Sequence, residues 1–194
     1  MVPPDIPFDR ACLIGCGVMT GVGAALNVAH IGHADTVMVI GCGAVGLAAV
    51  QGARLAGAAK IIAVDIDDGK LDLARRMGAT RGVNAKREDV AAAAKQESGG
   101  RGADAVIEAA GSAAAFRTTV EAVRPGGEVV WLGKIDVNDE LSFRWGALMQ
   151  EQVRGANRPG RSRTPARQET PIASHELRDC RRPFRTLADT AGQP

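Results

Sequence analysis

Short, nearly unbroken apolar runs recur along the first two thirds of the chain: Val37-Met-Val-Ile40, Ile61-Ile-Ala-Val64, Ala105-Val-Ile107 and Val129-Val-Trp-Leu132. Runs of this length that do not alternate with polar residues suit a parallel sheet covered on both faces. Between them lie stretches rich in Ala, Gly and Leu. The pattern predicts strands over 36–40, 60–64, 80–83, 105–108 and 128–132. It predicts helices over 17–29, 44–55, 69–77, 87–96 and 112–123, the last capped by Ser112. Residues 1–10, with three prolines, read as extended and irregular. Pro125-Gly-Gly127 reads as a turn, 141–143 as a short addition, and 152–155 as a sixth strand. Strand and helix alternate without an internal repeat, so the expected architecture is α/β, a doubly wound parallel sheet of the Rossmann type with helices on both faces.

One junction carries chemistry. The first predicted strand runs into Gly41-Cys-Gly43-Ala-Val-Gly46, and Asp65 ends the second strand nineteen residues after Gly46. Gly41 allows the tight turn, Gly43 lets backbone approach a diphosphate, and Gly46 lets the helix pack closely on the strand. The helix start at Ala44 and Val45 offers unpaired N–H groups to phosphate. Asp65 is placed to accept hydrogen bonds from the adenosine ribose hydroxyls. A glycine triplet alone is weak, but between two strands with the acid at this distance it is a strong dinucleotide signal. Asp65, Asp67 and Asp68 would repel a 2′-phosphate, which favours NAD over NADP. The alternatives are a tight turn that binds nothing and, more remotely, an S-adenosylmethionine-dependent methyltransferase, which also pairs a glycine loop with an acid.

Composition refines this picture. The chain has 194 residues, 45% hydrophobic and 3% aromatic with no Tyr, enough for one domain plus appendages. No stretch approaches about 20 unbroken apolar residues, and the N-terminus lacks a basic region followed by an apolar block, so neither a membrane partner nor a secretory signal is expected. Four irregularly spaced cysteines suggest no disulfide framework and a cytoplasmic setting. Residues 151–194 hold nine Arg and five acids, no Lys and five Pro, a break in composition near Gly155. The expected division is 1–35 as a linker and helix, 36–157 as the dinucleotide domain, and 158–194 as an Arg/Pro-rich irregular tail. That tail lacks interleaved aromatics and any recognisable module, so it reads as solvated and not as a nucleic-acid partner site.

Four segments carry a resemblance. Cys12-Leu-Ile-Gly-Cys16-Gly-Val-Met-Thr20-Gly, Val39-Ile-Gly-Cys-Gly-Ala-Val-Gly-Leu47, Ile61-Ile-Ala-Val-Asp65 and Ala74-Arg-Arg-Met-Gly-Ala-Thr80 closely resemble zinc-dependent medium-chain alcohol dehydrogenases. The likeness is nearest to the branch with glutathione- or mycothiol-dependent formaldehyde dehydrogenases, and covers about residues 8–157. Val106-Ile-Glu-Ala-Ala-Gly111 and Pro125-Gly-Gly-Glu-Val-Val-Trp-Leu-Gly133 continue it in register.

The resemblance implies roles for single residues. Cys16 matches a ligand of the catalytic zinc, and Thr20 a residue against the nicotinamide ring. Lys70 matches a lysine assisting Asp65, and Ala110, Leu132 and Gly133 fall where the family contacts the nicotinamide half. Without the resemblance Cys16 reads as a small buried residue, Thr20 as an ordinary helix threonine, and Lys70 as a solvated lysine. The implied activity of a complete enzyme is hydride transfer between an alcohol or aldehyde substrate and NAD, with zinc polarising the oxygen. The family's N-terminal half, with two further zinc ligands, the proton relay and most of the substrate pocket, has no counterpart here. Cys12, His30, His33 and His175 do not replace it. The chain alone is therefore expected to bind NAD(H) with little turnover. The alternative is a non-catalytic NAD-binding fragment, or a subunit needing a separate N-terminal half. A homodimer through the sheet edge, with 128–132 and 152–155 at the interface, is also implied.

Overall fold

In a computed structural model, which describes residues 6–136, 138, 140 and 141, five parallel strands form one sheet in the order β3-β2-β1-β4-β5. The strands are β1 (Thr36–Ile40), β2 (Lys60–Asp65), β3 (Arg81–Asn84), β4 (Ala103–Glu108) and β5 (Val123–Trp131). β1 is central and wholly buried. Its side chains alternate between two apolar cores. Val37 and Val39 face one core with Ile61, Ala63, Ala105 and Ile107, whereas Met38 and Ile40 face the other with Ile62, Val64 and Val106. Each such buried Val or Ile side chain contributes roughly 1.5–3 kcal/mol, so the unbroken apolar runs are what a two-faced sheet demands.

The helical run at the N-terminus starts earlier than the sequence pattern suggests. α1 (Phe8–Leu13), a π-helical turn (Ile14–Val18), α2 (Met19–Gly23) and a second π-helical turn (Ala24–Val28) follow one another directly. Residues 8–10, expected to be irregular, form its first turn. Proline opposes helix interiors but is tolerated at helix starts, and the Pro7 carbonyl accepts from the Ala11 N–H at 2.9 Å. Ala11–Val28 has a mean hydropathy of 1.7 over 18 residues, long and apolar enough by length and composition to cross a membrane. Counting unbroken apolar residues did not show this. One side of the run packs on α3 (Ala44–Leu55) through small residues: a Cβ on Gly21 would lie 2.2 Å from the Val45 carbonyl oxygen, and one on Gly52 2.8 Å from Ala25 Cβ.

The remaining helices are α4 (Asp68–Met77), α5 (Val90–Glu97) and α6 (Ala113–Ala122). Ser112 caps α6 as expected, accepting from the Ala115 N–H at 3.2 Å. α5 starts at Val90, not at 87, because Asp89 takes the capping position, accepting from Ala92 N–H at 2.9 Å. The N–H groups of Arg87 and Glu88 instead close a turn on the Asn84 carbonyl. β5 starts five residues before its expected position. Val123 pairs with Ala103 and Glu128 with Ala105, so Pro125-Gly-Gly127 is a bulge inside the strand and not a turn before it. The strand ends at Trp131, leaving Leu132 just beyond it.

Polar contacts also tie these elements together. Buried Asp104 accepts from the Thr36 N–H at 2.8 Å and from Arg124 Nε at 2.5 Å, joining β4 to the starts of β1 and β5. Burial pushes its carboxyl up, but the Thr36 N–H and the Arg124 guanidinium outweigh this and hold it below the usual carboxylate range. His30 is exposed, with Nδ1 3.1 Å from Glu128 Oε1. The expected addition at 141–143 falls largely, and the strand at 152–155 and the tail at 158–194 wholly, outside the described residues.

Candidate functional site

Chain order and strand order part company at β1. β2 and β3 lie on one side of it and β4 and β5 on the other, so a crevice opens over the carboxyl ends of the strands at this switch point. Gly41 leaves β1 with φ of 96°, a left-handed conformation that glycine adopts freely. Its N–H donates to the Val64 carbonyl at 2.7 Å, so the turn is anchored to β2. A Cβ on Gly46 would lie 1.7 Å from the Gly41 carbonyl oxygen. The chain's own packing therefore demands both outer glycines.

Gly43 differs. It is exposed, its φ of −77° suits any residue, and a Cβ built on it would meet nothing within 4 Å. Nothing among the described residues explains a glycine there. It is also the N-cap of α3 and supplies no side-chain hydrogen bond. α4, α5 and α6 are capped by Asp67, Asp89 and Ser112 respectively. The first N–H groups of α3, from Ala44 and Val45 onward, thus start a helix with its positive end uncovered.

Asp65 sits half-buried at the end of β2. Its Oδ2 accepts from the Cys42 N–H at 2.8 Å, and its Oδ1 from the N–H groups of Ile66 at 2.8 Å and Asp67 at 3.1 Å. A carboxylate offers about four acceptor positions, so the free capacity lies on Oδ2 and not equally on both oxygens. Cys42 is buried, and burial first, then the neighbouring Asp65 charge, push its thiol up to about 12 against the opposing charge of Lys70. It is a packed, protonated thiol. Lys70 is exposed in the first turn of α4. The acids after Asp65 also have local duties. Asp67 caps α4, and Asp68 accepts from Asn84 Nδ2 at 2.8 Å and pairs with Arg87. The Asn84 hydrogen bond, then Arg87, holds the Asp68 carboxyl below its usual range.

Gly41, Asp65, Ile66, Val90, Ala110 and Ser112 are among the residues lining a cavity of about 550 Å³ beside this turn. Ala110 is exposed, and Leu132 and Gly133 are half-buried beyond the end of β5. Cys16 and Thr20 are exposed on the N-terminal helical run. That run lies beside the glycine turn, since a Cβ on Gly17 would be 3.6 Å from Ala44 Cβ. Of the residues singled out in the sequence, Gly41, Asp65 and Ala110 line this cavity, whereas Lys70, Leu132, Gly133, Cys16 and Thr20 are not part of its lining. Cys16 is isolated as a metal ligand: among the described residues no group of three or more His, Cys, Asp or Glu could hold a metal ion. The described residues do not fit a zinc site by themselves. One residue escaped the sequence reading. Glu108, last in β4, is fully buried and organises the loops beyond β4 and β5. Its only sequence signal is an acid at the end of an apolar run, directly before Ala109-Ala-Gly111.

The sheet, the crossovers and the glycine turn define a doubly wound α/β domain of the Rossmann type. A family model described as zinc-binding dehydrogenase matches residues 44–170, and the chain belongs to that family. It is 41% identical over 148 residues to an S-(hydroxymethyl)glutathione dehydrogenase of Saccharomyces cerevisiae, covering 74% of this chain and 38% of that protein. The solved benzyl alcohol dehydrogenase of Acinetobacter calcoaceticus superposes with a TM-score of 0.73 at 33% identity, over 77% of this chain and 41% of that one. A zinc-binding dehydrogenase of Sinorhizobium meliloti 1021, solved bound to NADP, matches with a TM-score of 0.66 at 30% identity, over 70% of this chain and 40% of that one. The chain spans between 37% and 56% of the length of the curated relatives compared.

Proposed function

We propose that this domain binds NAD(H) and serves hydride transfer between an alcohol or aldehyde and the nicotinamide within the longer arrangement its relatives share. The observation that carries the reading is Gly43, a glycine that the fold does not need, at the uncapped start of α3 beside the half-buried carboxylate of Asp65. A diphosphate over that turn would use the space and the unpaired N–H groups. Oδ2 of Asp65 would take a ribose hydroxyl. Family membership favours a nicotinamide dinucleotide over S-adenosylmethionine. Glu88, Asp89 and Glu121 join Asp65 around the cavity, which favours NAD over its 2′-phosphorylated form. Of the zinc ligands, this reading assigns Cys16 alone, and no step through the metal is derived from the described residues.

Calorimetric titration of the purified chain with NADH, NADPH and S-adenosylmethionine tests the reading. NADH alone should bind tightly, and an absence of heat with NADH would refute it. A second reading concerns partners. Phe8, Met19 and Leu26 expose apolar side chains on the N-terminal run, at 94%, 65% and 45%. They suit a further protein surface carrying the rest of the catalytic apparatus, as a separate N-terminal half would. Co-expression with such a half should then restore alcohol oxidation. Pairing of two copies along β5 is a further proposal, checked by the mass of the particle in solution.

A further inference from the structure

We infer that Glu108 is the positioning residue for the nicotinamide side of the crevice, an inference that rests on the NAD(H) reading above. Its side chain has no solvent exposure. Oε1 accepts from the N–H groups of Ala110 at 2.9 Å and Gly111 at 2.7 Å, and Oε2 from that of Gly133 at 3.2 Å. Its backbone carbonyl accepts from Leu132 at 2.8 Å and Gly133 at 3.2 Å. One residue therefore straps the loop after β4 to the segment after β5. A buried carboxylate is costly unless fully hydrogen-bonded, and apolar packing would join two loops more cheaply.

The location gives the strap a purpose. Asp65 marks the adenosine side, on β2. The glycine turn after β1 holds the diphosphate. The rest of a molecule laid across the switch point must lie over the ends of β4 and β5, on the far side of β1. Its floor is then Ala110, Gly111, Leu132 and Gly133, the residues that Glu108 holds. The floor is also locked to the turn, since a Cβ on Gly41 would sit 2.7 Å from the Ala110 nitrogen. Gly133 is required by the same strap: a Cβ there would be 2.4 Å from both Glu108 Oε2 and the Gly111 nitrogen.

The substitution Glu108→Gln separates positioning from folding. Its amide oxygen can keep one loop, but its NH₂ group meets the other loop's N–H donor against donor. Affinity should then fall roughly tenfold for NADH and change less than about twofold for ADP-ribose, which lacks the nicotinamide. The fluorescence of bound NADH should change along with it. Equal losses for the two ligands, or no loss for either, would overturn the inference. If the unaltered chain binds neither ligand, the NAD(H) reading itself fails. Where Glu108→Gln does not fold, Gly133→Ala forces the same two loops apart from the other side. It must reproduce the selective loss, and equal losses for NADH and ADP-ribose would overturn the inference in the same way.

Discussion

Two carboxylates flank the central strand, and they have opposite fates. Asp65 ends β2 and Glu108 ends β4, and each accepts three N–H groups from the backbone around it. Strand alternation sends them to opposite faces of the sheet. Asp65 follows Ile61 and Ala63 on the side of α3, whereas Glu108 follows Val106 on the side of α5 and α6. Asp65 stays half-exposed beside the cavity and keeps acceptor capacity for a ligand. Glu108 is sealed, and its acceptors serve the loops. An acid at the carboxyl end of a parallel strand is therefore not one kind of site. Burial decides whether such an acid keeps acceptor capacity facing a cavity or spends it on the backbone around it.

The comparison breaks most severely if its frame is removed. Gly46→Val drives side-chain atoms into the Gly41 carbonyl, and should destabilise the domain by about 3 kcal/mol. The urea midpoint would fall and binding would be lost. At the other end of β4, Asp104→Asn removes a buried charge from Arg124 and should cost about 2 kcal/mol at neutral pH, with dinucleotide affinity unchanged. The pH dependence follows from the sign of the shift. Because the folded-state carboxyl lies below its unfolded value, its contribution is present above about pH 4 and lost as pH falls through the folded value. Denaturant titrations from pH 6 to pH 2 should therefore show a shallower acid limb for the variant.

Smaller effects sharpen the contrast itself. Asp65→Asn should weaken NADH binding roughly tenfold and narrow the preference over NADPH, read by fluorescence titration. Gly43→Ala should leave the unfolding free energy equal or raised by about 0.5 kcal/mol, yet reduce NADH affinity by about tenfold or more, since the new methyl would stand where a diphosphate approaches. A glycine kept for the fold would give the reverse. A last effect leaves binding and stability untouched and concerns Cys42. Mass spectrometry after mild alkylation near pH 7.5 should find it modified at least about tenfold more slowly than exposed Cys16, because only the thiolate reacts.

Legibility tracked how local each signal was. β1 and α3 were readable to the residue, because an unbroken apolar run and a glycine turn leave little choice. The start of α1 was missed because Pro7 reads as a breaker in a list of residues, yet serves as a helix opening once its carbonyl finds Ala11. The early start of β5 was hidden by Pro125-Gly-Gly127, which looks like a turn unless β4 is present to pair on both sides of it. The bend at Gly41–Gly46 was legible because its glycines are close in sequence, and Asp65 meets it through the Cys42 N–H once β1 and β2 pair. Glu108 was not, since its partners Ala110, Gly111 and Gly133 are joined only when β4 and β5 lie side by side.

Periodicity along the chain was enough to dictate the alternating elements, the bend after β1 and the acid at the end of β2. These depend on contacts over a few residues or on the choice between two sheet faces. The division of labour between Asp65 and Glu108, the uncovered start of α3 and the strap across two loops came only with the folded arrangement. Solvent exposure and hydrogen-bond partners belong to three-dimensional neighbours, and residues 25 positions apart, such as Glu108 and Gly133, become neighbours only after the sheet has formed.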